Sequence, residues 1–254
     1  MKSFKVFGFL VLFSAIGLLS CDKDDPKVPE QKGDLNIRFK LKYGDQPLEM
    51  FKEYSYPVTN EKLKFTRLSF FISDITLRST EGDIKLKDID YLNLTQAHTD
   101  PVALNGFEYK LSGILARNYT SLDFGIGVPK ASNALQPKDY PAGHILSSSA
   151  EYWTSWKSYI FFRPEGFIAL NGQNEPESSF ALHLGADDAY RLFTINKSIS
   201  ITENGVTNLD VEIDMKKFFD GKTLYDIHDT QQIHSLFQVP LMVTLADNLA
   251  VAVK

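Results

Sequence analysis

Apolar side chains recur at every second position through most of this chain. Over residues 34–43, Leu35, Ile37, Phe39, Leu41 and Tyr43 share one parity, and Asn36, Arg38, Lys40 and Lys42 share the other. A period of two is the mark of a strand with one face buried and one wet. Gly44-Asp45-Gln46-Pro47 then reads as a turn. Residues 65–77 form a second strand, with Leu68, Phe70 and Ile72 alternating against Arg67, Ser69, Phe71 and Ser73. Shorter strands are predicted over 84–86, 90–94, 122–128 and 180–184. Tyr159-Ile160-Phe161-Phe162 is apolar throughout, as expected of a strand covered on both faces. Residues 193–201 and 206–213 flank Glu203-Asn204-Gly205 and predict a hairpin. Helical spacing is confined to 215–219 and to 240–249, where Leu241, Leu245 and Leu249 recur and Pro240 suits a first turn.

Strands at this spacing with so few helices predict an all-β fold, an antiparallel β-sandwich with a few short helices. The 19 Phe and 11 Tyr residues reinforce it, because aromatic side chains fill a half-buried pleated face well. No internal repeat, heptad or Gly-rich phosphate loop occurs. No break in composition divides residues 34–254 into two domains.

The first 20 residues differ in kind. Lys2 and Lys5 precede an uncharged apolar stretch over 6–19, shorter than the roughly 20 residues a membrane span requires. Leu18-Leu19-Ser20-Cys21 resembles the bacterial lipobox, which implies cleavage before Cys21 and acylation of that residue. An ordinary secretory signal is the plainer alternative. Cys21 is the only cysteine, so a mature chain would have neither a disulfide nor a thiolate metal site. Residues 21–33 are charged and proline-bearing, and read as a disordered tether. The Lys-Asp-Asp run within 22–25 resembles a short acidic signal for the cell-surface side of the outer membrane; a solvated linker on the periplasmic face is the alternative. Loss of Lys2 and Lys5 would take the net charge from −5 to −7. An acidic chain is a poor partner for nucleic acid.

Both tryptophans fall in one segment, Trp153 and Trp156, with His144 upstream and His183 downstream. Residues three apart on a strand point oppositely, so the two indoles share a pocket only if this stretch turns. His183 alternates with Leu182 and Leu184 and points away from their face, which fits either a ligand or a polar residue on the wet side. His144 sits in a Pro141-Ala142-Gly143 loop, and His234 precedes the last helix, where a capping or core role is equally open. His98 and His228 read as solvent-exposed loop residues, and Met242 as core. Glu165 is placed to orient a ligand histidine. No Gly-x-Ser-x-Gly elbow, His-Glu-x-x-His pair or Cys–His pair occurs, and the chain is read as a non-enzyme.

An ordered set of segments resembles the MbnP-like family, copper-binding partner proteins found beside methanobactin operons and among bacterial lipoproteins. The segments are Leu68 to Leu77, Tyr119 to Pro129, the tryptophan segment through Gly166, His183-Leu184-Gly185, Ile233-His234-Ser235 and Ala246-Asp247-Asn248-Leu249. The resemblance implies a β-sandwich in the cell envelope that binds copper. Imidazole nitrogens suit that metal, and His144, His183 and His234 are the candidate ligands. It further implies a tryptophan oxidised to kynurenine by a MauG-like dihaem cytochrome c peroxidase, and a TonB-dependent transporter as a further partner. The family pattern is Met-aromatic-Trp-x-Trp-x-x-Gly-Tyr. Here Glu151 replaces Met, Ser158 replaces Gly, and Trp156 is shifted by one position, so Trp153 carries over more directly. A β-sandwich module that binds glycans on an aromatic platform of Tyr152, Trp153 and Tyr159 is the alternative.

Overall fold

The computed structural model describes Met1 and residues 30–254. The expected export signal beyond Met1, Cys21 and the expected tether through residue 29 lie outside the described residues. Strand structure begins at Lys32, and the Gln31 carbonyl accepts from the Ala116 N–H at 2.9 Å. The folded body therefore starts within the stretch expected to be tether. Residues 31–254 cluster as one unit.

Its longer strands are β1 Lys32–Tyr43, β2 Lys62–Arg78, β3 Ile84–Asn93, β4 Phe107–Leu115, β5 Ser121–Ile126, β6 Ser158–Ile168, β7 Ser178–Leu182, β8 Arg191–Ile195 and β9 Val206–Asp214. In the first sheet β1 lies between β9 and β4, and the predicted alternation holds: Leu35, Ile37, Phe39, Leu41 and Tyr43 are all buried. The second sheet runs β8-β5-β2-β6-β7. The 17 residues of β2 serve two partners along one edge, β6 with the first half and β5 with the second, and take β3 along the other. The inner faces meet through aromatic edges: Phe39 of the first sheet lies 5.7 Å from Phe70 and 6.0 Å from Phe124 of the second. Edge-on ring contacts of this kind add modestly to the burial of apolar area that dominates a sandwich core.

Two expectations are corrected. The sandwich forms, but its sheets are mixed: β1 and β9 run parallel, with Asp34 opposite Val206 and Leu41 opposite Ile213. The hairpin predicted over 193–213 does not form a ladder. Its turn exists, with the Gly205 N–H donating to the Thr202 carbonyl at 3.1 Å and Asn204 at φ 54°. The flanking strands part there. β8 joins β5 in the second sheet, while β9 carries Leu209, Val211 and Ile213 into the first. The turn thus passes the chain between layers.

The Val239–Ala252 helix opens with Pro240 in its first turn and buries Met242, Leu245, Ala246, Leu249 and Ala252. The predicted 215–219 helix appears as Lys217–Asp220. Fully buried Asn248 joins the two. Its amide donates to the Phe218 and Thr223 carbonyls, and its oxygen accepts from the Lys222 and Thr223 N–H groups.

His98 departs most from expectation among the loop histidines. It is fully buried, with Nδ1 2.8 Å from the Leu94 carbonyl and Nε2 accepting from the Leu41 N–H at 2.9 Å. Only the neutral ring with its proton on Nδ1 satisfies both bonds, and burial pushes its pKa below the usual value. His228 is exposed as expected, held between Asp226 and Glu61.

Candidate metal centre

The outer face of the second sheet carries the site. Tyr152–Trp153 pairs back onto Ser158–Tyr159 at the start of β6. The four residues between form a tight turn, with the Trp156 N–H donating to the Trp153 carbonyl at 3.0 Å and Lys157 at φ 52°. This is the turn that a shared pocket required, and the two indole rings lie 4.3 Å apart. Trp156 is buried, and its indole N–H donates to the His234 carbonyl at 2.8 Å. Gly185 makes room for it: a Cβ there would fall 3.0 Å from the Trp156 ring. Trp153 stays half-buried and faces both imidazoles, 5.7 Å from the His183 ring and 4.8 Å from that of His234.

His183 and His234 come from opposite sides of a short parallel pairing. His183 follows β7, and His234 follows Gln232–Ile233, which pairs with Ala181 and Leu182 at the sheet edge. Their rings are 4.8 Å apart. The His234 N–H is held by the Gln238 side chain at 2.9 Å. Loss of hydration, joined by the neighbouring His183, lowers the pKa of His234, which favours the neutral ring a metal needs.

The Nε2 of His183 lies 2.8 Å from Oε1 of Glu165, so this carboxylate orients the ring. Burial alone would raise the Glu165 pKa; hydrogen bonds from His183 and Arg163 outweigh it and bring the carboxyl down to about 2. A carboxylate only accepts, so in the neutral ring Nε2 of His183 donates and Nδ1 carries the lone pair. That Nδ1 is buried and has no hydrogen-bond partner among the described residues. A bulge between Glu165 and Gly166 against β2 aims this carboxylate, and Gly166 is required there because a Cβ would fall 2.1 Å from the Lys64 carbonyl oxygen. Trp153, Glu165, His183 and His234 line a cavity of about 370 Å³ that extends to Thr66, Phe167, Ser179 and Gln232.

His144 does not join them. It stacks on Tyr140 at 4.6 Å, its Nδ1 accepts from the Leu146 N–H, and it lines a different depression with Lys87, Asp88 and Asp90. Nor do Tyr152, Trp153 and Tyr159 form an open platform: Tyr159 is fully buried, with its hydroxyl on the Leu146 carbonyl. Met242 is core, as expected. Among the described residues, no group of three or more His, Cys, Asp or Glu side chains is arranged to hold a metal ion. The donors on offer are two imidazoles, with Glu165 engaged behind one of them.

Sequence reasoning missed Arg163 and the use of Glu151. Glu151, where the family pattern has Met, is buried. Its Oε1 accepts from Arg67 at 2.7 Å and from the Tyr91 hydroxyl at 2.8 Å, and its Oε2 accepts from Arg163 at 2.9 Å. Arg163 also donates through Nε to Glu165 at 2.5 Å. The available signal was a buried-strand segment ending in an arginine two residues before a glutamate.

A family model described as MbnP matches residues 32–235, a span that contains Trp153, Trp156, Glu165, His183 and His234 and ends one residue past the last. Among solved structures, MbnP from Methylosinus trichosporium is similar at a TM-score of 0.50 and 12% identity, over 76% of this chain and 80% of that one. At such identity the likeness speaks to the fold alone. No curated protein matches.

Proposed function

The chain belongs to the MbnP family, and from that membership and the geometry of the centre we propose that it binds a copper ion between His183 and His234, beneath Trp153, for uptake, storage or delivery. The observation that carries this reading is the buried, unpartnered Nδ1 of His183. An unpaired polar atom out of water is costly, and a lone pair fixed by a carboxylate behind the ring is the usual preparation of a metal-ligating histidine. Copper accepts imidazole nitrogen readily and needs no thiolate.

The setting follows from the N-terminal reading. The protein is a lipoprotein anchored through Cys21 in the outer membrane, on its cell-surface or periplasmic face, and it is not itself an enzyme. A MauG-like dihaem cytochrome c peroxidase oxidises a tryptophan of the centre to kynurenine, and a TonB-dependent transporter is the further partner. Trp153 is the better target. It is half-exposed and faces both imidazoles, whereas Trp156 is buried and its N–H is engaged.

Copper titration of the unlipidated chain tests the reading. Near-stoichiometric binding should be lost in His183→Ala and in His234→Ala, and kept in His144→Ala. Isotherms unchanged by the first two would overturn it.

A further inference from the structure

Two separately anchored walls meet at the centre. One is the tryptophan hairpin, which pairs onto β6 immediately after Glu151. The other is the His183 imidazole, held from behind by Glu165. A single side chain touches both anchors: Arg163 donates through Nη1 to Oε2 of Glu151 at 2.9 Å and through Nε to Oε1 of Glu165 at 2.5 Å. The latter oxygen also receives Nε2 of His183. We propose that Arg163 is a positioning residue, whose guanidinium locks the indole wall and the imidazole wall of the pocket into one geometry and fixes the tautomer of His183.

The proposal rests on the copper reading only for its functional consequence; the coupling itself is a property of the empty pocket. Three observations support it. Arg163 sits on β6 opposite Ser69, whose small side chain leaves lateral space for the guanidinium. The Glu151 side chain is 9% exposed and that of Arg163 is 21% exposed, so their pair is weakly screened and its geometry is retained. The work also demands a planar fork. Two N–H groups diverge to two carboxylates, which the point charge of a lysine cannot do. Arg67 and Tyr91 hold the other oxygen of Glu151. Losing Arg163 therefore leaves Glu151 partnered and the fold intact, while Glu165, at 25% exposure, is free to turn toward water.

The test uses the unlipidated chain with Arg163→Lys and, as control, Arg67→Lys, which leaves the bridge in place. Nitrogen-15 NMR of the imidazoles reads the His183 tautomer in metal-free protein. Wild type and Arg67→Lys should show the Nε2-protonated form alone. Arg163→Lys should show a mixture with the Nδ1-protonated form, and copper affinity should fall about 10- to 100-fold, as for other groups that support a ligand. Should Arg163→Lys misfold, Arg163→Gln reads the same tautomer, because its single amide cannot donate to both carboxylates at once. A single unchanged tautomer in Arg163→Lys, or in Arg163→Gln if that variant must stand in, overturns the proposal. Wild type that binds no copper overturns the copper reading instead, and leaves the tautomer measurement to decide this one.

Discussion

Gly185 and Trp156 press on one another, and a double-mutant cycle measures the pressure. In Gly185→Ala the new Cβ falls 3.0 and 3.1 Å from two ring carbons of Trp156 and 2.9 Å from the Tyr159 carbonyl oxygen. The backbone of Gly185 is not left-handed, so the penalty is steric, and overpacking of this kind costs about 1–3 kcal/mol. Trp156→Phe removes the bond to the His234 carbonyl, about 1 kcal/mol. It also leaves a gap that costs about 1 kcal/mol more. Independent effects would sum to about 4 kcal/mol. In the double variant the smaller ring relieves two of the three close approaches, and the alanine methyl occupies part of the gap. The expected total is about 3 kcal/mol, a favourable coupling of about 1 kcal/mol. Urea unfolding of the four proteins gives these values from shifts in midpoint at constant slope. Additivity within about 0.5 kcal/mol would refute the seat assigned to the Trp156 indole.

Other outcomes follow from buried polar groups. His98 is neutral in the fold with its pKa below 6.5, so the unfolded chain takes up the proton first as pH falls. Its contribution to stability is complete above about pH 6.5 and declines below it by up to about 1.4 kcal/mol per pH unit. Unfolding midpoints at pH 7.5 and 5.5 should therefore differ less in His98→Gln than in wild type, and an equal pH response would refute this. Asn248→Leu keeps the size of a side chain that makes four close hydrogen bonds to the 218–223 segment. Water can satisfy the exposed ends, so the expected loss is about 2–4 kcal/mol by chemical unfolding; a loss under about 1 kcal/mol would show that the bonds add little.

The strands were legible because each alternates against one buried face, as in β1. Their partners were not. Val206–Asp214 has the same period whether it folds back on its predecessor or runs parallel beside β1, and only the division of Phe193 and Leu209 between two sheets around one core decides. Trp153, His183 and His234 were accessible through the family pattern. His144 was not separable from them, since a loop histidine carries no periodicity to place it. His98 was misjudged for the same reason: a three-residue turn beneath Leu41 buries it, and nothing nearby in sequence announces that cover. Arg163 was hidden by its setting, because a charged residue on a strand ordinarily reads as solvent-facing.

The two imidazoles are not equally tethered. His183 continues a strand zipped to β6 over Glu165 to Ile168, whereas His234 follows Gln232–Ile233, a two-residue pairing at the sheet margin, and is held beyond it by the Trp156 indole and the Gln238 side chain. Opening that short zipper would swing one nitrogen donor outward and leave the other where it is. On the copper reading proposed above, cargo would leave by the His234 side, handed on while still touching His183.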